Sequence, residues 1–323
     1  RSKRDDEIIV RLENCGICTL EQRLFRGDIR IHYPIIPGHE ASGEIVEVGP
    51  AVIGGIQRGM RVALDLVTRC GECYYCRTGQ SNMCSNRFTD GQRVLGGFAE
   101  YISVRASQVF PVSDEVSFRE AAFAEPLACC IHSLKKISLT IGEDLLILGA
   151  GPMGLIHLQA ANCMGARVIV SDPDKTRLEV ASELGAYRCI DPGSEDLTES
   201  VYSETEGRGP DACVITSMAD TALTTAFNVL AKTGRMNIYT SYLEKLDLPV
   251  DANILHRNEY LITGSEGRTE IDFQQAVRLI EFRKIQLQPL ISKVVGFSGL
   301  EEGIHAALTP ETFRVLLEQR LGE

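Results

Sequence analysis

No stretch of this 323-residue chain approaches the roughly 20 consecutive apolar residues that a helix needs to cross a bilayer, which excludes a helical membrane span. Basic charge is also short: 33 Lys and Arg stand against 44 Asp and Glu, a net charge of -11 at pH 7. A surface of that sign repels nucleic acid and anionic lipid, both of which reward a basic face. Repeats and low-complexity tracts are lacking. The start, Arg1-Ser-Lys-Arg-Asp-Asp-Glu7, carries charge but no apolar signal core behind it and no initiating Met, so residues before Arg1 are expected.

What is present is ordinary globular material, 44% hydrophobic and 24% charged, long enough for two domains. Eleven cysteines in so long a chain fit metal ligands and buried free thiols in a reducing compartment, so a cytoplasmic location is expected. Four of them, Cys70, Cys73, Cys76 and Cys84, stand at spacings of 3, 3 and 8 residues. Four thiolates from one loop can close a tetrahedral zinc site with no open position, which braces a loop and does no chemistry.

Up to about residue 110 the chain reads as short β segments broken by glycine and proline. Ile8–Leu12, Ala41–Val48, Arg61–Leu66 and Phe98–Val104 are candidate strands, separated by Pro-Gly, Gly-Gly and Asp-Gly turns. Glu120–Lys136 is alanine-rich and helical in pattern. From Asp144 strands alternate with helices: Leu145–Leu148, Val168–Val170, Cys213–Ile215, Arg235–Tyr239 and Tyr260–Thr263, with helices from Pro152 to about Met164 and about Lys175 to Leu184. Such alternation predicts βαβ units and a parallel sheet. The last fifty residues read as a helix Ile271–Phe282, a strand Ile291–Val295 and two short helical stretches. Expected domains are 1–136, 137–268, and a segment 269–323 returning to the first. Ser241–Asp251 fits no pattern.

Gly149-x-Gly151-Pro152-Met153-Gly154 lies between a buried strand and a helix, and Asp172 ends the next strand 18 residues beyond Gly154. Gly149 permits a tight turn, Gly151 lets backbone approach a pyrophosphate, and Gly154 lets the helix pack against the strand. The helix start supplies N–H donors and positive dipole. Asp172 would accept from the ribose hydroxyls and repel a 2′-phosphate, which favours NAD over NADP.

Cys15-Gly-Ile-Cys18 is followed 21 residues later by His39, in Pro37-Gly-His-Glu40, and much later by Glu125-Pro126-Leu127. Together with the cysteine cluster and the glycine turn, these segments resemble the zinc-dependent medium-chain dehydrogenase/reductase (alcohol dehydrogenase) superfamily, in its sorbitol/polyol or threonine dehydrogenase branch. The resemblance implies a GroES-like irregular β-barrel catalytic domain and a Rossmann doubly wound sheet. It implies two zinc ions per chain, one structural on Cys70, Cys73, Cys76 and Cys84. The other is catalytic on Cys18, His39, Glu40 and Glu125, with Glu40 ligating directly or through water. Cys15, Cys129 and Cys130 are expected in the core.

The implied reaction takes hydride from a secondary alcohol, a polyol or sugar alcohol, to NAD and leaves a ketone. L-threonine or a sugar derivative are alternative substrates, and a retired, purely binding protein is a remote one. A homo-oligomer, dimer or tetramer, is also implied. Family members carry a hydroxyl two residues after the first ligand, where this chain has Leu20. The proton is therefore expected to leave through Glu40 and water, or through Thr19. Glu21 stands where the family has an aspartate. Arg23 is expected to face solvent, or else to greet an anionic substrate.

Overall fold

The computed structural model describes residues 5–29, 33–87, 96–248 and 250–321. The Asp90-Gly91 turn lies outside them. The chain divides into two compact units: residues up to Ala128 together with those from Arg268 onward, and Cys129–Gly267. The division falls inside the helix Ala124–Lys136.

The first unit begins with β1 (Glu7–Ile17), β2 (Glu40–Val48), β3 (Arg61–Asp65), β4 (Tyr101–Arg105) and β5 (Val109–Val112). β1 alternates buried and half-buried residues, the signature of a strand with one face on a core. The second unit holds β6 (Asp144–Leu148), β7 (Arg167–Ser171), β8 (Arg188–Ile190), β9 (Ala212–Ile215), β10 (Arg235–Ile238) and β11 (Leu261–Gly264). The chain then returns to the first unit with β12 (Ile291–Val295) and β13 (Arg314–Glu318).

The first sheet runs β12-β13-β1-β2-β3-β5, with β4 also on β1. β1 is long enough to pair β4 along Glu7–Arg11 and β13 along Asn14–Ile17, with β2 on its other side. The tail expected to hold two helical stretches instead gives one helix, Leu300–Ala307, and then β13. Its first four residues are buried, Val315 and Leu317 in the core with Ile8, Val10, Leu12 and Ile17, and pairing with β1 overrides any local helical preference.

The second sheet is parallel, in the order β11-β10-β9-β6-β7-β8. β6 is buried throughout, as a strand covered on both faces must be. Strand order reverses at β6, between β7 on one side and β9 on the other. In open α/β sheets the carboxyl ends at such a reversal form the ligand crevice.

A buried histidine locks this unit internally. His157 Nδ1 lies 2.7 Å from the Met153 carbonyl, which can only accept, so the proton sits on Nδ1. Nε2 then accepts from Ser133 Oγ at 2.8 Å, and that oxygen accepts from Asn237 Nδ2 at 2.8 Å. The ring has no exposed surface, and burial pushes its pKa down to about 4. A depressed folded-state value means the neutral form is favoured by folding. Stability is therefore full above the ordinary histidine value near 6.5 and is lost as pH falls from there to about 4, by roughly 3 kcal/mol. Denaturant midpoints between pH 7 and pH 4 should show this loss for the native chain and a shallower slope for His157→Gln. Equal slopes would refute the account.

Candidate active site

Cys18 follows directly on β1 and caps the helix Thr19–Arg26. Glu21, three residues on, accepts the Cys18 N–H at 3.1 Å in a capping box. The same carboxylate accepts the Gly38 N–H at 3.0 Å and meets His39 Nδ1 at 2.9 Å. With Nδ1 donating to Glu21, His39 presents the lone pair of Nε2. Gly38 sits at φ +89°, and a Cβ there would lie 2.5 Å from the Phe98 ring, so the turn that delivers His39 requires glycine.

Glu40 opens β2 opposite Gly16. It is 2% exposed, and its Oε1 lies 3.2 Å from Arg314 Nη2. Cys18, His39 and Glu40 each bring a ligand atom to within 4.8 Å of the other two. Thiolate, imidazole and carboxylate form a donor set suited to zinc, and three protein ligands leave a fourth tetrahedral position for substrate or water.

Electrostatics sort the groups around this cluster. Burial works to raise Glu21, but the charge and hydrogen bond of His39 outweigh it and hold the carboxyl below its usual range. Burial works to lower His39, yet Glu21, Cys18 and Glu125 carry it well above its ordinary value. Burial raises Glu40 against the opposing pull of Arg314. Cys15, fully buried, is pushed far up by desolvation and the neighbouring carboxylates and stays a neutral thiol in the core.

Glu125 does not join the three-residue cluster. Its carboxylate is turned onto the guanidinium of Arg268, a buried pairing that draws it aside, although its charge still acts on His39 and Glu40. Thr19, the first residue of its helix, is exposed, and Leu20 is half-buried. Arg23 does not face solvent as expected: it is 9% exposed and, with Glu21, one of the two buried residues of its helix, while Phe25 and Arg26 beside it are exposed. Cys129 and Cys130 are buried.

Cys70, Cys73, Cys76 and Cys84 also converge within 4.8 Å. Cys73 caps the short helix Tyr74–Arg77 that carries Cys76. Backbone N–H groups point at the sulfurs, Cys73 at Cys70 Sγ (3.3 Å) and Cys70 and Asn86 at Cys84 Sγ (3.4 Å each). These N–H groups would stabilise thiolates, and the all-sulfur set fits a closed structural zinc.

In the second unit Gly149 takes φ +110°, and a Cβ on it would lie 2.7 Å from Thr216 Oγ1. A Cβ on Gly154 would lie 1.9 Å from the Gly149 carbonyl, whereas Gly151 faces open space with only Arg177 Nη1 at 3.6 Å. Pro152 and Met153 open the helix Pro152–Cys163. Asp172 follows β7; its carboxylate accepts from Ala150 N at 2.7 Å and Asp174 N at 2.9 Å, and Arg177 Nη1 stands 3.9 Å away. A helix start with an open glycine and an adjacent carboxylate fits a dinucleotide.

Gly16, Asp65, Arg268 and Arg314 escaped the sequence reading. A glycine inside a strand is a sign of close approach, and Gly16 carries that sign: a Cβ there would lie 1.9 Å from Glu40 Oε2. Gly16→Ala should displace the Glu40 carboxylate, lower zinc retention at the Cys18 cluster and destabilise the unit by about 1–3 kcal/mol. Metal content per chain and denaturant unfolding check both. Unaltered zinc content would mean that Glu40 is not held by this contact.

Known families match both parts of the chain. Residues 4–114 match the family model described as the alcohol dehydrogenase GroES-like domain, and residues 152–281 match that described as zinc-binding dehydrogenase. The D-arabitol-phosphate dehydrogenase of Enterococcus avium is 31% identical over 320 residues, 97% of this chain and 90% of that protein. The L-threonine 3-dehydrogenase of Pyrococcus abyssi is 32% identical over 317 residues, 96% and 90%. Among solved structures, a zinc-binding dehydrogenase from Sinorhizobium meliloti bound to NADP superposes with a TM-score of 0.91 at 27% identity, covering 98% of this chain and 93% of that one. With a zinc-type donor cluster in one unit and a dinucleotide-type turn in the other, the chain belongs to the zinc-dependent medium-chain alcohol dehydrogenase superfamily and is an oxidoreductase that uses zinc and a nicotinamide cofactor.

Proposed function

We propose that this enzyme oxidises a secondary alcohol of the polyol or sugar-alcohol class with NAD, yielding a ketone and NADH. The observation that carries the reading is the convergence of Cys18, His39 and Glu40, with Glu21 fixing the histidine tautomer from behind. A zinc held there supplies Lewis acidity toward the substrate hydroxyl oxygen. Cys18 and His39 hold and orient it, and Glu21 keeps the Nδ1 proton of His39 fully engaged, so that proton takes no part in turnover. Leu20 offers no hydroxyl, which leaves Glu40 to take up the proton released by the alcohol at a carboxylate oxygen. Gly149, Gly151 and Gly154 would seat the pyrophosphate of a nicotinamide cofactor, which when bound supplies the hydride acceptor.

Two zinc ions per chain, a cytoplasmic location and a homo-oligomer complete the proposal. β11 is an edge strand whose Leu261 is 49% exposed, a surface suited to pairing with a second copy. L-Threonine is the second substrate reading, favoured by the relative from Pyrococcus abyssi, whose identity equals that of the polyol-phosphate enzyme to within one percentage point.

NADH formation by the zinc-loaded protein with sugar alcohols, their phosphates and L-threonine tests the reading. Turnover of polyols supports it, and turnover of threonine alone replaces the substrate class. Glu40→Gln should lower turnover at least about tenfold while NADH binding persists, an effect near 1.4 kcal/mol on the barrier. Unchanged turnover and pH profile would remove Glu40 from the proton path. The native enzyme should prefer NAD to NADP, and Asp172→Asn should narrow that preference by about tenfold in kcat/KM. A native preference for NADP would overturn the assignment of Asp172.

A further inference from the structure

Asp65 ends β3 with no exposed surface, and its carboxylate holds two arginines at once. Arg69 Nη1 lies 2.6 Å from Asp65 Oδ2, and Arg268 Nη2 lies 2.7 Å from Oδ1. Arg268 reaches Glu125 with its other amino group, and its own carbonyl accepts from Arg69 Nη2 at 2.8 Å. All four side chains are at most 7% exposed.

The chain of contacts has two ends of different character. Arg69 stands immediately before Cys70, the first cysteine of the four-thiolate lobe. Ser81, inside that lobe, donates to Glu270, two residues after Arg268, and so ties the lobe to the same segment a second time. At the other end Glu125 bears electrostatically on both His39 and Glu40. Arg69 grips Arg268 through its carbonyl and through Asp65, so the direction in which Arg268 holds Glu125 follows the position of the lobe. Planar, two-pronged guanidinium contacts transmit orientation as well as charge.

We propose that Arg69 is a positioning residue: it passes the folded state of the cysteine lobe through Asp65 and Arg268 to Glu125, and so couples the lobe to the Cys18–His39–Glu40 cluster. The proposal rests on the reading of that cluster as the catalytic metal site. In this view the four cysteines do more than brace a loop, since their closure sets the carboxylate beside the working metal.

The test uses the two-zinc enzyme with cobalt exchanged into the Cys18–His39–Glu40 site, where its visible absorption reports ligand geometry. Arg69→Gln should keep the lobe zinc and NADH binding, shift the cobalt band, and speed cobalt loss to a chelator roughly tenfold, the scale of one charge-assisted hydrogen bond. In a Glu125→Gln background the same substitution should add nothing. Arg69→Lys should fall between, because it keeps the charge without the fork. An unchanged band and loss rate, or equal effects in both backgrounds, would overturn the coupling. Should Arg69→Gln shed the lobe zinc, Asp65→Asn cuts the path outside the lobe and is judged by the same two readouts. Failure of the native protein to take cobalt at Cys18 and His39 would overturn the metal reading itself, and is seen before any variant is made.

Discussion

The arrangement around the metal cluster depends on one buried carboxylate. Glu21 gathers the Cys18 N–H, the Gly38 N–H and His39 Nδ1, three donors from two separate stretches of chain. An ionised carboxylate at 2% exposure is tolerable only when its oxygens are filled, and hydrogen bonds to charged groups are the strong ones. The local fold is thereby constrained: the helix cap, the left-handed glycine and the histidine must all arrive together, or the charge is stranded. Aspartate, the residue expected at this place from the family resemblance, is one methylene shorter. This chain spans the cap of the helix and the Gly38 turn with glutamate.

What could be read from the sequence was what is local in it. The four cysteines between 70 and 84 and the glycines between 149 and 154 carry their geometry in their spacing, and the parallel sheet followed from alternating strands and helices within one stretch. The partners that act over long separations were not legible. Arg268 meets Glu125 across 143 residues, and Arg314 reaches the Ile17 carbonyl across 297. No periodicity marks such a pair. β13 was missed for the same reason: Arg314–Glu318 becomes a strand only because β1 offers an edge some three hundred positions earlier. Arg23 was misread because a basic residue on a short helix is solvated by default, and only the surrounding fold decides otherwise.

Three carboxylates, Glu21, Glu40 and Glu125, gather around His39 in the first unit, and the like charge of Glu125 and Glu21 adds to burial in raising the pKa of Glu40. Each has been given a different partner: His39 for Glu21, Arg314 for Glu40 and Arg268 for Glu125. The choice of partner assigns the task. Glu21 faces a ring that must be oriented, so it is fixed by three donors. Glu40 turns Oε1 toward its arginine at 3.2 Å without completing a hydrogen bond, a looser hold than the hydrogen bonds on Glu21 and Glu125. Glu125 is shared with a guanidinium that also belongs to Asp65, so its direction is set from outside the cluster.

That division also bears on the loss of the hydroxyl at Leu20. A serine or threonine relay works because its proton can be passed on without moving charge into a dry interior. With leucine there, a proton leaving the substrate must reach a group that can accept it outright. Glu21 is pulled below its usual range by His39 and engaged on both oxygens, and so is a poor acceptor. Glu125 is turned onto Arg268 and stands outside the cluster. Glu40 alone of the three combines a place in the cluster with an oxygen not committed to a hydrogen bond, and burial raises its affinity for a proton. Under the proposed reaction, the close fit of its other oxygen over Gly16 bears on chemistry as well as packing, because the glycine leaves room for the carboxylate that would accept the proton.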